Sequence, residues 1–342
     1  MLRSVDHNIL GEEGYVFAVF GDNKYLKHVL ASITTLRRYD TQRPVALLCE
    51  PHHFDLLKKY ELDQHIDFIR LLDKAHTSIT GFKHNTHQYL LFKNTIFLDS
   101  DILVCKNPDP LWKMLKAHPY TITGRLVADH FFGAPKSMSV LKDIIMRRRK
   151  STLKRFGLTY LNRIQSGLIF CSDYEMTEKV NKLAQNYLSY HTDTHFKSRT
   201  MEIGRSEESC EWSLAMAMAK LEIPVFPWQF GHMSTQLDYF QQTTHHDPDF
   251  KYVRCLKYNS EFVDNMKALR VKFVRAILMW FFSWVLGKYD YMYTTPYFLH
   301  FGWYHQKEPL NEFAERNWLD LINKGESELS QLLQLKKRSV AD

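Results

Sequence analysis

The stretch that most constrains this chain is residues 94–108. It reads Asn94-Thr95-Ile96-Phe97-Leu98, then Asp99-Ser100-Asp101, then Ile102-Leu103-Val104-Cys105, and closes on the turn signal Asn107-Pro108. An apolar, β-branched run of this length predicts a buried strand. Buried strands do not ordinarily carry carboxylates, because an unpaired charge in an apolar setting is costly. Residues two apart in extended chain project to the same side. Asp99 and Asp101 are therefore expected to share one edge and to hold one hard divalent cation, with positions left for phosphate oxygens. The alternative is a pair of exposed strand-end carboxylates capping a neighbouring helix. The chain supplies a control: Asp247-Pro248-Asp249 repeats the spacing in a polar stretch with no strand leading into it. That copy is expected to be a surface loop.

The segments around this stretch predict an α/β protein. Residues 15–20 read as a first strand, followed by Gly21-Asp22-Asn23 and helical spacing over 25–39 through Leu26, Val29, Leu30, Ile33 and Leu36. Strands at 44–49 and 66–71 bracket a helix at 54–60, and a short helix around 87–92 leads into the Asp99 strand. Alternating strands and helices imply a mostly parallel sheet covered on both faces. Ligands gather at the carboxyl ends of such strands, where both residues 21–25 and Asp99–Asp101 lie. Further strands are expected at 120–124 and 166–171. Helices are expected at 138–156, which is markedly basic, and at 178–190 and 211–221.

From about residue 236 the character changes. Residues 235–258 are polar and turn-rich. A helix over 262–286 follows, with an uncharged run at 276–287 that holds Trp280, Phe281, Phe282 and Trp284. That run is short of the roughly twenty residues that span a bilayer. Basic residues leading into it suit an interfacial membrane anchor, and a core helix is the other reading. The tail, 325–342, reads as a surface helix. His191, Asp193 and His195 have zinc-ligand types but stand in a loop-like stretch, and His52-His53 after Pro51 reads as a helix start.

The 342 residues, 45% hydrophobic, can bury a sizeable core as one domain or two. Five cysteines form no CxxC pair and are expected to be buried free thiols in a reducing compartment. Asp6, Glu12 and Glu13 interrupt the N-terminus where a leader would be apolar, so a cytoplasmic location, with optional peripheral contact at a membrane's cytoplasmic face, is the expectation. A net charge of +7 suits anionic substrates or membrane surfaces and does not by itself indicate nucleic acid.

Several motifs, in order, resemble those of GT-A-fold glycosyltransferases, most closely the glycogenin-like and lipopolysaccharide galactosyltransferase-like members of glycosyltransferase family 8. Phe20-Gly21-Asp22-Asn23-Lys24-Tyr25 resembles the family's uridine-reading loop, Lys83 stands sixteen residues before Asp99, and Asp99-Ser100-Asp101 matches the metal-binding Asp-x-Asp. Leu126-Val127-Ala128-Asp129 resembles a small-residue segment ending in aspartate. Gln165-Ser166-Gly167-Leu168 resembles an Asn-Ser-Gly turn with Gln for Asn, and Glu211-Trp212 stands where the family has Asp-Gln. Leu299-His300-Phe301-Gly302, running to Lys307 and Pro309, is similar to the family's third-ligand histidine motif with altered spacing.

The resemblance implies a GT-A domain over 1–235 and a helical C-terminal region over 236–342. In that region an aromatic-rich helix (270–287) and a return segment (296–309) would complete the metal site. It implies transfer from a UDP-sugar to a glycan, glycolipid or other hydroxyl acceptor, with Mn2+ or Mg2+ and retention of configuration. Asp99, Asp101 and His300 would hold the metal. Phe20, Gly21, Asp22, Tyr25, Lys83, Ser100 and Lys307 would bind the donor. Asp129, Gln165 and Glu211 are the candidates near the anomeric carbon. Three other readings stay open: a non-catalytic nucleotide-sugar-binding scaffold at a membrane, a nucleotidyltransferase, and a DNA-modifying glycosyltransferase using the basic helix. A nucleotidyltransferase predicts a Gly-rich phosphate loop, for which residues 17–25 offer only Gly21. The basic helix lacks the aromatic interleaving of a nucleic-acid surface.

Overall fold

The computed structural model describes residues 9–125, 145–196, 198–201, 207–230, 232–258, 271–285 and 291–339. Its centre is a seven-stranded sheet built from β1 (Gly11–Val19), β2 (Val45–Cys49), β3 (Phe68–Leu71), β4 (Phe92–Leu98), β6 (Tyr120–Arg125), β7 (Arg163–Cys171) and β8 (Phe226–Pro227), in the order β3-β2-β1-β4-β7-β6-β8. The pairs β1/β2, β2/β3, β1/β4 and β6/β8 are parallel, whereas β7 runs antiparallel to both neighbours. The sheet is mostly parallel and helix-covered, as its alternating pattern predicts.

Side-chain alternation sends β1 into two cores. Tyr15, Phe17 and Val19 pack with Leu26, Val29, Leu30 and Ile33 of the helix Lys24–Arg37. Val16 points the other way, into a cluster with Phe97, Ile169 and the helix Cys210–Lys220. Burial on both faces explains why β1, β2 and β4 read as nearly unbroken apolar runs.

At residue 99 the expectation of one continuous strand fails. β4 ends at Leu98, residues 99–101 form a turn, and β5 (Ile102–Val104) belongs to a different sheet. That second sheet has three strands, Gln236–Asp238, Phe298–His300 and β5. The Asp-x-Asp therefore sits where the chain passes between two sheets, and its carboxylates converge through a turn and not through extended geometry.

Residues 235–258 also depart from the turn-rich reading. They contain the strands Gln236–Asp238, Thr244–His246 and Val253–Tyr258, the last pairing with Tyr291–Thr294. Strands of three residues carry too few positions for a period to register. The short helix expected around 87–92 is a 3₁₀ turn, Thr86–Tyr89, because Phe92 opens β4. Within the basic segment the described helix is Arg148–Phe156, and residues 126–144, including Asp129, lie outside the described residues.

A long helix, Glu308–Ser339, packs on Lys24–Arg37 through Lys27 Nζ to Glu315, 2.6 Å, and His28 Nε2 to Asn311 Oδ1, 2.8 Å. The aromatic helix is Lys272–Val285, with Phe273, Ile277, Trp280 and Phe281 exposed. All five cysteines are buried and outside any disulfide. Among the described residues, no helix is long and apolar enough to cross a membrane.

Candidate metal and donor site

Asp99, Asp101 and His300 come together with one ligand atom each, all within 4.8 Å of one another. The backbone dictates this meeting. Asp99 N–H donates to the Gly167 carbonyl, 3.0 Å, tying the turn to β7, and Phe301 N–H donates to the Asp101 carbonyl, 2.9 Å. His300 lies directly opposite Ile102 on one side and Asp238 on the other. His300 Nε2 is 3.5 Å from Asp101 Oδ1, while its Nδ1 is 2.8 Å from Asp238 Oδ1. Two carboxylates and an imidazole with one ring nitrogen already engaged fit a hard or borderline divalent cation.

Two lysines face the carboxylates. Lys83, buried at the end of the helix Ile79–Lys83, donates to Asp99 Oδ1 and to the Ser166 carbonyl. Lys307 Nζ lies 2.6 Å from Asp101 Oδ2. Burial alone would raise the Asp101 pKa, but Lys307 and His300 outweigh it and hold the carboxyl well below its usual range. Burial would likewise lower His300, yet Asp101 and Asp238 push it up to about 9. Lys83 and Lys307 are raised in the same way, against burial, by Asp99 and Asp101 respectively. All four shifts favour the charged forms, so the cluster consists of charges that require one another.

The loop of residues 20–25 approaches this cluster through Tyr25. Gly21 has φ +79°, the left-handed region that glycine enters without steric cost. Its N–H donates to Glu50 Oε2, 2.6 Å, and its carbonyl lies 3.1 Å from His52 Nε2. Asp22 is exposed and accepts the Lys24 N–H, 2.8 Å, at the start of the helix. Tyr25 is half-buried, with the Lys24 ammonium 5.1 Å from its ring centroid, and it lies near Lys307. Phe20 is partly buried against the core, and Ser100 is partly exposed in the turn between Asp99 and Asp101.

Gln165 and Glu211 are placed differently from each other. Gln165 Nε2 donates to Asp238 Oδ1, 2.6 Å, and its Oε1 accepts from Gln236, 3.0 Å. Glu211, at the start of the helix Cys210–Lys220, accepts from Ser166 N–H at 3.4 Å, next to the carbonyl that holds Lys83. Asp238, Gln236 and Trp303 are site residues that sequence reasoning missed. A single aspartate in a polar stretch carries no signal until the strand pairing is known.

The other metal-like clusters resolve plainly. Asp247 accepts the Tyr252 N–H and Asp249 pairs with Lys251, 3.2 Å, in a loop as expected of the second Asp-x-Asp, but the strand Thr244–His246 does lead into it, a segment too short and polar to read as one. His195 Nδ1 is 2.9 Å from Thr152 Oγ1, and among the described residues His191, Asp193 and His195 belong to no ligand group. Among the described residues one further group has ligand atoms within 4.8 Å: Glu50, His52 and His53, at the opening of the helix Pro51–Lys59. Two of its members hold Gly21.

No protein-family profile and no curated protein matches the sequence. Among solved structures the chain is similar to the galactosyltransferase LgtC in complex with donor and acceptor sugar analogs, at 12% identity and TM-score 0.46, over 91% of this chain and 95% of that one. It is also similar to the glycosyltransferase GlyE of Streptococcus pneumoniae TIGR4, at 12% identity and TM-score 0.45, over 93% of this chain and 64% of that one. The bifunctional glycosyltransferase WbbM gives 14% identity and TM-score 0.47, over 92% of this chain and 51% of that one. The chain thus spans about half of WbbM and just under two thirds of GlyE. At such identities the likeness is one of chain course; what the site can do is set by its own residues.

Proposed function

We propose that this protein is a metal-dependent glycosyltransferase that moves a sugar from a UDP-sugar to a hydroxyl of a glycan or glycolipid, with retention of configuration. The observation that carries this reading is the convergence of Asp99, Asp101 and His300 at the carboxyl end of the sheet, with Lys83 paired to Asp99 and Lys307 to Asp101. Asp99, Asp101 and His300 would hold Mn2+ or Mg2+. When bound, such a cation neutralises the charge developing on a diphosphate leaving group. Lys83 and Lys307 supply fixed positive charge for the same phosphates, as point charges held in a dry setting. The loop from Phe20 to Tyr25 takes the base, with Tyr25 as its platform and Asp22 as an acceptor for the imide, and Ser100 lines the diphosphate side. Glu211, bonded to the same Ser166 backbone that holds Lys83, can orient the acceptor or the sugar; Asp129 lies outside the described residues. The exposed face of Phe273, Ile277, Trp280 and Phe281 suits peripheral contact with a membrane that carries a lipid-linked acceptor.

The test is donor turnover. A panel of UDP-, GDP- and CMP-sugars is incubated with Mn2+, with and without EDTA, and nucleotide release is followed for the wild type and Asp101→Asn. Metal-dependent release from one UDP-sugar, abolished in the variant, is the expected result. Absence of both UDP binding and release would overturn the reading. Liposome flotation tests the membrane contact: the wild type should float with anionic vesicles and a Phe273→Ala, Trp280→Ala variant should not, and equal behaviour of the two would count against it.

A further inference from the structure

We propose that Asp238 is a positioning residue for His300, and that Gln165 belongs with it in support of the metal site and does not act at the reacting sugar. This rests on the metal-site reading above. Asp238 and His300 are directly aligned partners on adjacent parallel strands, so their side chains leave the sheet on the same side. Asp238 accepts from three donors: Gln165 Nε2 at 2.6 Å, His300 Nδ1 at 2.8 Å and Trp303 Nε1 at 2.8 Å, the last on its second oxygen. Both oxygens are thus engaged within the protein. With Nδ1 held, the nitrogen that His300 offers to Asp99 and Asp101 is Nε2.

The support continues inward. Gln165 Oε1 accepts from Gln236 Nε2, 3.0 Å, and Gln236 Oε1 accepts from Thr123 Oγ1, 3.0 Å, a run of side chains from β6 across β7 to the histidine. The two nearby glycines leave the room it needs. A Cβ on Gly302 would come within 2.4 Å of His300 Cε1, and one on Gly167 within 3.0 Å of Gln236 Nε2 and 3.3 Å of His300 Cδ2. A carboxylate accepting Nδ1–H fixes the imidazole's tautomer and orientation and makes the other nitrogen a better ligand. An asparagine at 238 would keep one acceptor oxygen and turn an NH2 toward a donor.

Mn2+ binding, measured by electron paramagnetic resonance in the presence of UDP, separates the possibilities. The variants are Asp238→Asn, Gln165→Ala and Trp303→Phe, with Asp101→Asn as the ligand control and thermal unfolding as the folding control. Asp238→Asn is expected to weaken Mn2+ about 10–100-fold, and Gln165→Ala to weaken it in the same direction. Trp303→Phe, which removes one donor and keeps the fold's aromatic packing, carries the test if Asp238→Asn does not fold. Unchanged Mn2+ affinity in folded Asp238→Asn and Gln165→Ala would overturn the proposal while leaving the site reading intact. A Gln165→Ala variant with wild-type Mn2+ affinity and a lowered kcat would return Gln165 to the sugar. A wild type that binds no Mn2+ would remove the site reading, and this proposal with it.

Discussion

Gly302 shows how tightly single residues are specified around His300. Its missing side chain is the space in which the imidazole stands, and the histidine is itself buried. Gly302→Ala is expected to push the ring from its place, weakening Mn2+ binding as strongly as loss of Asp238. It should also lower stability by about 1–3 kcal/mol, the usual range for overpacking; a urea titration beside the Mn2+ titration measures both. His300 and Gly302 were legible in the sequence because they stand together in one short motif with Lys307 and Pro309 downstream. Asp238 was not, since its only qualification is the partner that strand pairing gives it. Gln165 was a candidate from its motif, and the supporting role proposed for it follows from its contacts. The chemistry of an amide side chain does not say which neighbours it serves, and here Asp238 and His300 stand at its Nε2 end and Gln236 at its Oε1 end.

Among the elements, the helix Cys210–Lys220 joins stability to the site. Trp212, Leu214 and Met216 are fully buried between the sheet and the helix Tyr174–Ser189. Its first turn brings Cys210 Sγ within 3.3 Å of Ser166 Oγ, next to the carbonyl that holds Lys83. Trp212→Ala should therefore cost about 3–5 kcal/mol, as large-to-small changes of a buried tryptophan do, read as a shift in the urea midpoint. The long elements were legible from their periodicity: β1, β7 and the helices at 24–37 and 174–189 fall within a few residues of expectation. The turn at 99–101 was not, because the apolar run continues through it. Leu98 and Ile102 are equally buried while belonging to different sheets, and residue type does not record which sheet a strand joins.

For the molecule as a whole, two buried histidines set an acid limit. Burial, aided by His52, lowers His53 from 6.5 to about 4, and burial lowers His84 to about 4. A depressed histidine binds its proton more readily in the unfolded chain, so folding stability is full above about 6.5 and falls as pH drops toward 4. Each contributes a slope of up to about 1.4 kcal/mol per pH unit. Urea unfolding at a series of pH values through this window should show the decline, and His84→Gln, which retains a partner for Ser213 Oγ, should flatten it. Below that window the Asp40 and Glu13 carboxylates, both held low with Arg43 as a partner, begin to lose their ion pairs as they protonate. Neither histidine carries a mark in the sequence that distinguishes it from an exposed one.

The pairing of Lys83 with Asp99 and of Lys307 with Asp101 sets two ammonium groups against the two carboxylates of the ligand set. A cation arriving alone meets carboxylates already satisfied, and a diphosphate arriving alone meets lysines already engaged. Arriving together, each frees the partners the other needs. The two ligands should consequently show positive linkage. UDP affinity should rise with Mn2+ and Mn2+ affinity should rise with UDP by the same factor, as equilibrium reciprocity demands. Lys307→Met should shrink that factor by loosening the hold on Asp101, so that the metal binds more readily by itself and gains less from the nucleotide.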